Sequence, residues 1–340
     1  GAESKKSGFE KFALAKRPDE YRDEKYEKLK PRIDMEKRFV GRNIISMNDF
    51  SREEILFVLD YARQFEMLRN TMLSGKILAT CFYEPSTRTR LSFESAMYQL
   101  GGDVIGFDAG SSSSAAKGET VADTAKMIEG YADVMVIRNP MEGAARSAGE
   151  SASIPVINGG DGSNQHPTQT FLDLYTIMKT KGTLSGLKIG FIGDLKYGRT
   201  VHSLAEALAH FKSTLYFISP NSLKMPGYIL SQLSEHDQIY YETTDLFDYL
   251  FELDILYVTR IQKERFFDAI EYEKVKNAYI LDKRILTTIK DNLKILHPLP
   301  RVNEIHTSLD STPQAEYFQQ SKNGVTIRKA LLSLVLGINL

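Results

Sequence analysis

Short apolar segments alternate with amphipathic segments along most of the chain from residue 43 onward. The apolar segments have the length and composition of buried strands, and the amphipathic segments have the period of helices. This alternation predicts βαβ units, and right-handed crossovers would make each series a parallel sheet with helices on both faces. We therefore predict an α/β fold with two doubly wound parallel-sheet domains and an active-site cleft between them.

The first series begins with a helix signal. Ser51-Arg52-Glu53-Glu54 has the form of a capping box and should begin a helix that runs to about Asn70. The predicted strands of this series are Ile77–Tyr83, Val104–Phe107, Val134–Arg138 and Ile154–Asn158. The predicted helices are Thr89–Leu100, Glu119–Tyr131, Glu142–Glu150 and Pro167–Lys179.

A second series follows a glycine-containing segment around Gly182 and Gly186, which we interpret as a hinge. Its predicted strands are Lys188–Gly193, Leu215–Ser219, Ile239–Glu242, Ile255–Thr259 and Ile295–Leu296, and its helices are Thr200–His210 and Pro226–Ser234. An amphipathic helix, Asn323–Leu336, should end the chain. The predicted organisation is a charged extension at 1–40, a first domain at 41–180, a second domain at 181–322, and a C-terminal helix at 323–340 that packs back on the first domain.

Composition excludes several functional classes. The chain has 43 Lys and Arg against 44 Asp and Glu, a net charge of -1, so no general basic field could hold nucleic acid or an anionic membrane. No apolar run is long enough for a membrane-spanning helix. Cys81 is the one cysteine, which rules out an intrachain disulfide, and its apolar surroundings indicate a buried strand residue. We find no cysteine and histidine spacing typical of zinc sites and predict no metal and no cofactor.

The motif Glu84-Pro85-Ser86-Thr87-Arg88-Thr89-Arg90 lies between a predicted strand and a predicted helix. Ligands of open α/β sheets bind at such strand ends, and free N–H groups at a helix start favour an anion. Arg88 adds a planar guanidinium that suits phosphate. The alternative is an ordinary Ser/Thr cap with exposed arginines, and spacing alone leaves both open.

Two glycine- or serine-rich segments of the first domain carry further polar side chains. The loop Ser111–Ser114 precedes Lys117 and could close on an anion, although a plain surface loop explains it as well. The run Gly159–Gln169 follows a predicted strand. Its His166 could donate to a carbonyl oxygen and its Gln169 could bind an amide, since residues three apart share a helix face.

The second domain repeats this arrangement. Arg199 would stand at a helix start, and Arg260 follows a predicted strand, so both suit carboxylates. The turn around Gly193–Thr200 lacks G-x-G-x-x-G, which argues against a nicotinamide dehydrogenase. In His297-Pro298-Leu299-Pro300-Arg301 the prolines remove N–H donors and leave backbone carbonyls that suit an amine.

Together these motifs resemble the aspartate/ornithine carbamoyltransferase family over about residues 43–340. Ser86-Thr87-Arg88-Thr89-Arg90 matches its carbamoyl-phosphate motif. The runs Gly159–Gln169, Gly193–Ser203 and His297–Arg301 are similar to the aspartate branch, and Pro298 stands where the ornithine branch has cysteine. The resemblance implies transfer of a carbamoyl group from carbamoyl phosphate to L-aspartate, an early step of pyrimidine biosynthesis. The alternatives are ornithine or another amine as acceptor, and a non-catalytic binding subunit.

The resemblance also implies a role for each matching residue. Carbamoyl phosphate would contact Ser86, Thr87, Arg88, Thr89, Ser113, Lys117, Arg138, His166 and Gln169, of which Arg88, Thr89, Lys117, Arg138 and His166 would be catalytic. Aspartate would contact Lys117, Arg199, Arg260, Gln262, Leu299 and Pro300, and Glu84 would orient Arg138.

The assembly expected from the resemblance is a homotrimer with shared active sites. Family members complete each site with a serine and a lysine of a neighbouring subunit, which match Ser113 and Lys117. The four-serine run leaves the choice of Ser113 open by one position. We expect no nucleic-acid or membrane partner. The location should be cytoplasmic, or organellar if the start at Gly1 reflects a cut terminus.

Overall fold

The computed structural model describes residues 30–108 and 117–340. Most of the predicted charged extension and the whole Ser111–Ser114 loop, with Ser113, lie outside these residues. Within the described part, residues 30–37 are helical, and the chain enters the core at Phe39, which is fully buried.

The first sheet contains β1 (Ile77–Phe82), β2 (Asp103–Asp108), β3 (Val134–Asn139) and β4 (Val156–Asp161). The strands are parallel and lie in the order β2-β1-β3-β4. The residues of β1, β3 and β4 are nearly all buried, as expected for strands covered on both faces, whereas edge strand β2 is largely exposed. Cys81 is buried within β1, as predicted.

Helices cover both faces of this sheet. They are α1 (Arg52–Ala62), α2 (Thr87–Gln99), α3 (Val121–Ile128), α4 (Ala144–Ser151) and α5 (Pro167–Lys181). Alanines of α3 and α4 pack on one face against side chains such as Ala79 and Ile137. Aromatic and aliphatic side chains of α1, α2 and α5 pack on the other face, where Leu78 and Val136 point. Successive side chains of each strand point to opposite faces, so the sheet separates two hydrophobic cores.

The second sheet contains β5 (Lys188–Ile192), β6 (Thr214–Ile218), β7 (Tyr240–Thr243), β8 (Ile255–Val258) and β9 (Lys294–Leu296). It is also parallel, in the order β7-β6-β5-β8-β9. Helices α6 (Arg199–Leu208), α7 (Gly227–Glu235) and α8 (Ala269–Val275) belong to this half of the chain. The prediction of two parallel, doubly wound α/β sheets is confirmed.

Two long helices join the halves. α5 packs against α6, and its apolar residues share one continuous core with β5 and β8. The last helix, α9 (Tyr317–Leu336), leaves the second sheet and packs against α1, α2 and α5. It begins six residues before the predicted Asn323, because the polar residues of its first turns are buried among partners that sequence periodicity does not reveal. Among the described residues, no helix combines the length and the apolarity that crossing a membrane requires.

Each sheet has one point where the strand order reverses, between β1 and β3 in the first and between β5 and β8 in the second. Ligands of open α/β sheets bind outside the carboxyl ends of strands at such switch points. The segment after β1 contains Ser86 to Thr89, and β3 ends near Arg138. The segment after β5 leads to Arg199, and Arg260 follows β8. The topology thus places the predicted site residues at two facing strand edges.

Some predicted boundaries were wrong. The first helix ends at Ala62 instead of about Asn70, and a short 3-10 helix, Arg63–Phe65, replaces its last turns. Met67 then takes a positive φ of 54°, which no helix continues through. β4 extends to Asp161, because the two glycines interpreted as a turn continue the strand. α8 was not predicted from the sequence.

Candidate active site

A cavity of about 630 Å³ lies between the carboxyl edges of the two sheets. It is lined by twelve of the predicted residues, namely Glu84, Ser86, Arg88, Thr89, Arg138, His166, Gln169, Arg199, Arg260, Gln262, Leu299 and Pro300. Five arginines line it, against two acidic residues, Glu84 and Asp194. The excess of positive charge suits a ligand, or a pair of ligands, with several negative charges.

The start of α2 forms the part of the cavity that best suits phosphate. The side chain of Ser86, the residue before the helix, makes no capping hydrogen bond, and the first turn contains no acidic residue. The first N–H groups of α2 are therefore available to an anion. Arg88 is exposed and makes no ion pair with any residue that the structure describes.

Thr89 and His166 meet at the buried end of this region. The Thr89 hydroxyl lies 3.4 Å from Nε2 of His166, and both residues are buried. Burial, reinforced by the charges of Arg199, Arg138 and Arg328, holds the pKa of His166 well below its usual range, so the imidazole is neutral at physiological pH. Its Nδ1 atom is buried and has no hydrogen-bond partner among the described residues.

Arg138 is held rigidly at the end of β3. Its Nε donates to Glu84 at 3.2 Å, and its Nη1 donates to the carbonyl of Gly159 at 3.0 Å. A Cβ on Gly160 would lie 2.8 Å from the Arg138 guanidinium, so the glycine lets the backbone pass closely beneath it. Burial lowers the pKa of Arg138, but a guanidinium remains charged at neutral pH.

Arg199 reaches across the cavity from the second half of the chain. It begins α6, and its Nη1 donates to the carbonyl of Gly162 in the segment after β4. Burial lowers its pKa to about 10, which leaves it protonated. Arg260 is more exposed and pairs with Glu264 at 3.1 Å. The two arginines offer one buried and one accessible cation on the same side of the cavity.

The loop after β9 presents backbone carbonyls. Leu299 has a positive φ of 55°, and its N–H donates to Nδ1 of His297 at 2.7 Å. Nε2 of His297 therefore carries the proton, which it donates to Glu304 at 2.6 Å. The motif that contains Leu299 and Pro300 was predicted with no role for His297, and Glu304 was not predicted.

The last helix supplies residues that the sequence analysis also missed. Arg328 and Gln320 of α9 line the cavity and are almost fully buried. Arg328 donates to Ser92 and Thr168, each at 3.1 Å, and its Nε has no partner among the described residues. The available signal was the number of polar residues in an otherwise apolar helix, for which the prediction of an amphipathic helix gave no role.

Two predicted residues do not line this cavity. Thr87 is exposed at the first position of α2, and Lys117 is exposed beyond the end of β2. Ser113 lies outside the described residues. The structure thus brings together the residues of both sheets and leaves Lys117 apart from them within one chain. Among the described residues, no His, Cys, Asp and Glu side chains cluster in a way that could hold a metal ion.

Two family models cover nearly the whole described chain. Residues 42–179 match the carbamoyl-phosphate-binding domain of aspartate/ornithine carbamoyltransferases, and residues 185–335 match the Asp/Orn-binding domain of the same family.

Curated relatives and solved structures agree with these matches. The aspartate carbamoyltransferase catalytic subunit of Thermococcus onnurineus is 59% identical over 303 residues, which are 88% of this chain and 98% of that protein. The catalytic subunit from Methanopyrus kandleri is 54% identical, with the same coverage.

Among solved structures, the catalytic subunit of M. jannaschii aspartate transcarbamoylase is 53% identical, with a TM-score of 0.82 over 86% of this chain and 97% of that one. Aspartate transcarbamoylase from Trypanosoma cruzi, solved in complex with carbamoyl phosphate and aspartate, is 35% identical, with a TM-score of 0.82 over 88% of this chain and 96% of that one.

Proposed function

Because this chain belongs to the aspartate/ornithine carbamoyltransferase family, we propose that it transfers the carbamoyl group of carbamoyl phosphate to the amine of L-aspartate. The products are phosphate and N-carbamoyl-L-aspartate, which enters pyrimidine biosynthesis. One observation carries this proposal: cationic side chains from the switch points of both sheets converge on one cavity. Relatives that are 54–59% identical are aspartate carbamoyltransferases by name.

The second sheet favours aspartate over ornithine as the acceptor. Arg199 and Arg260 provide two guanidinium groups on that side of the cavity, and aspartate has two carboxylates for them. Ornithine would instead place a side-chain ammonium beside like charges, which is unfavourable by Coulomb's law. The acceptor site therefore fits a dicarboxylate.

Carbamoyl phosphate binds at the start of α2 in this proposal. The free N–H groups of the first turn, including that of Thr87, surround its phosphate together with the Ser86 hydroxyl and Arg88. Thr89, Arg138 and neutral His166 donate to its carbonyl oxygen. Such donors stabilise the charge that develops on oxygen in the transition state, and each is typically worth about 2.7–4 kcal/mol of the barrier.

The reaction is a direct displacement. The neutral amine of aspartate attacks the carbamoyl carbon, a C–N bond forms, and the bond between the carbamoyl carbon and the bridging oxygen of the phosphate breaks. The phosphate leaves with the electron pair and accepts the amine proton. Backbone carbonyls of Leu299 and Pro300 accept hydrogen bonds from the amine and orient its lone pair. Holding two anions side by side contributes roughly 7–11 kcal/mol through proximity.

We propose that the active enzyme is a homotrimer in which Ser113 and Lys117 of one subunit complete the site of the next. Lys117 is exposed and does not line the cavity of its own chain. It follows edge strand β2, which exposes Ile105, and the neighbouring helix α2 exposes Leu91 and Tyr98. An unpaired strand edge beside exposed apolar side chains favours contact with another subunit. The cytoplasmic or organellar location stays a prediction.

A single assay tests the proposed reaction. The purified chain is incubated with carbamoyl phosphate and either aspartate or ornithine, and the carbamoylated product is quantified. We expect product with aspartate and essentially none with ornithine, and we expect Arg88→Ala to abolish turnover almost completely. Equal product with both amines would contradict the acceptor assignment, and full activity of the Arg88 variant would contradict the phosphate site.

A further inference from the structure

Asp173 lies in the middle of α5 and is completely buried beneath the cavity. Its Oδ1 accepts hydrogen bonds from Nε2 of Gln169 at 3.0 Å and from Nε2 of Gln320 at 2.7 Å. Its Oδ2 accepts from the hydroxyl of Tyr257 at 2.8 Å. Three donors from α5, α9 and β8 therefore converge on one carboxylate, and Tyr257 brings in the second sheet.

This carboxylate decides which way the Gln169 amide faces. Above about pH 7, where Asp173 is ionised, its carboxylate only accepts hydrogen bonds, and Gln169 accordingly directs its NH2 group toward Asp173. The carbonyl oxygen of Gln169, which lines the cavity, is then left as an acceptor. A carbamoyl group has an NH2 that needs such an acceptor. The reverse orientation would set two acceptors against each other at Asp173 and two NH2 donors against each other in the cavity.

The same carboxylate also fixes an amide on the acceptor side of the cavity. Because Gln320 directs its NH2 toward Asp173, its Oε1 accepts the backbone N–H of His297 at 2.8 Å. His297 in turn accepts the N–H of Leu299 through Nδ1. A continuous series of hydrogen bonds thus runs from Gln169 through Asp173 to the loop that presents the Leu299 carbonyl.

A carboxylate at this position is costly if its role is only structural. Burial raises the pKa of Asp173 to about 7, because the charged form is poorly solvated there, although the three donated hydrogen bonds and, to a smaller extent, the charge of Arg328 oppose the shift. Well-packed neutral side chains usually serve stability as well as a buried charge does. This position must accept hydrogen bonds from three donors. Asparagine does not meet this requirement, because its NH2 group is itself a donor.

We propose that Asp173 is a positioning residue for carbamoyl transfer. By accepting a hydrogen bond from Gln169, it turns the Gln169 carbonyl oxygen toward the carbamoyl NH2. By accepting a hydrogen bond from Gln320, it holds the Leu299 loop in place for the incoming amine. This inference rests on the proposed function and deepens it, since it assigns recognition of the carbamoyl NH2, as opposed to the phosphate, to a buried network.

The test is a pair of complementary substitutions. Asp173→Asn introduces an NH2 that opposes the Gln amides, so we expect kcat/KM for carbamoyl phosphate to fall roughly 10-fold or more. Gln169→Glu alone sets two acceptors against each other and should also lower it. In the double variant, the amide introduced at position 173 donates to the carboxylate introduced at position 169. The second oxygen of that carboxylate then faces the cavity as an acceptor. We expect the double variant to be more active than Asp173→Asn alone.

A binding measurement separates this inference from the reaction assignment. Calorimetry on wild type and Asp173→Asn, with carbamoyl phosphate and with inorganic phosphate, should show weaker binding of carbamoyl phosphate and unchanged binding of phosphate. This result supports the inference even if aspartate proves to be the wrong acceptor. Equal weakening of both ligands would overturn it, because the network would then act on the whole cavity.

Thr176→Val is the matched control. Thr176 lies about one turn further along α5 and accepts from Asn323 of α9 at 2.9 Å, so it makes the same kind of buried bond between these helices. We expect this variant to lower the unfolding midpoint without changing either KM. If Asp173→Asn behaves in the same way, or if the losses of the two single variants simply multiply in the double variant, the positioning role is refuted.

Discussion

Individual arginines in this cavity differ in how much of their hydrogen-bonding capacity the protein itself uses. Arg138 is anchored by Glu84 and a backbone carbonyl, and Arg199 by the carbonyl of Gly162. Arg88 has no ion pair among the described residues, and Arg260 has only an exposed partner, Glu264. Exposed ion pairs contribute little to stability. Arg88 and Arg260 therefore remain available to ligands at little cost to the fold.

Arg260→Ala should weaken aspartate binding. The lost hydrogen bonds to a carboxylate are worth about 1.5–3 kcal/mol, or roughly a 10- to 150-fold higher KM for aspartate. KM for carbamoyl phosphate should change little. Steady-state kinetics with each substrate varied in turn measures both. Arg284→Ala is the control, since Arg284 also pairs with a near neighbour, Asp282, but does not line the cavity. An unchanged KM for aspartate in the Arg260 variant would contradict its assignment.

The burial of Asp173 predicts a specific pH dependence of stability. Burial raises its pKa to about 7, so between its ordinary value and pH 7 the folded state holds a proton that the unfolded state has lost. The stabilisation from this proton is therefore present at low pH and is lost as pH rises toward 7. Between about pH 5 and about pH 8, wild type should lose stability relative to Asp173→Asn.

Urea unfolding midpoints of the two proteins at the two pH values measure this difference. Arg328 stays charged across the range, because burial lowers its pKa only to about 10. All other titratable groups are the same in wild type and Asp173→Asn, so their effect on stability cancels in the difference between the two midpoints. Parallel pH dependences of the two midpoints would show that Asp173 does not titrate in this range.

At the scale of elements, a local signal fixed the start of α1 but not its end, whereas α9 ends at the predicted Leu336 but begins before the predicted Asn323. The capping box before α1 is confirmed: the Ser51 side chain accepts from Glu54 N–H at 3.1 Å, and the Glu54 side chain accepts from Ser51 N–H at 3.0 Å. The C-terminal end of α1 had no comparable signal. The chain leaves the helix at Ala62 because Phe65 turns back into the core, and this is a tertiary constraint.

Ser51→Ala should destabilise the protein by about 1 kcal/mol, because the first turn of α1 loses a side-chain acceptor. Thermal unfolding measures the effect. Ser51→Asp is the control, since aspartate also caps helices well and should stay close to wild type. Because α1 contributes no residue to the cavity lining, both variants should keep wild-type kinetics. A Ser51→Ala variant as stable as wild type would show that the cap contributes nothing.

At the scale of the whole molecule, the proposed sharing of sites predicts complementation between inactive variants. Arg88→Ala and Lys117→Ala chains, unfolded together and reassembled, should regain part of the activity, because some sites then combine an intact Arg88 with an intact Lys117. Activity after reassembly is compared with that of each variant alone. The control mixture of Arg88→Ala with Gln169→Ala should recover nothing, because both residues come from the same subunit. Failure of the first mixture would contradict shared sites.

The amino-acid sequence by itself determined the architecture and the chemistry of the strand ends. Alternating periodicity is a local property of each segment, so both parallel sheets were predictable. The residues that follow β1, β5 and β8 were predictable too, since parallel strands end at a common edge. The family resemblance then supplied roles for these residues, from Ser86 to Pro300, that local patterns had left open.

Only the tertiary structure revealed the buried polar groups that hold those residues. Asp173 and Gln320 are 147 positions apart in the sequence, and Arg328 and Thr168, which also share a hydrogen bond, are 160 positions apart. In the sequence each of these side chains resembles an ordinary exposed polar residue of a helix. A polar side chain can be buried only when donors and acceptors from distant elements meet it in complementary orientation, and no local pattern encodes that match.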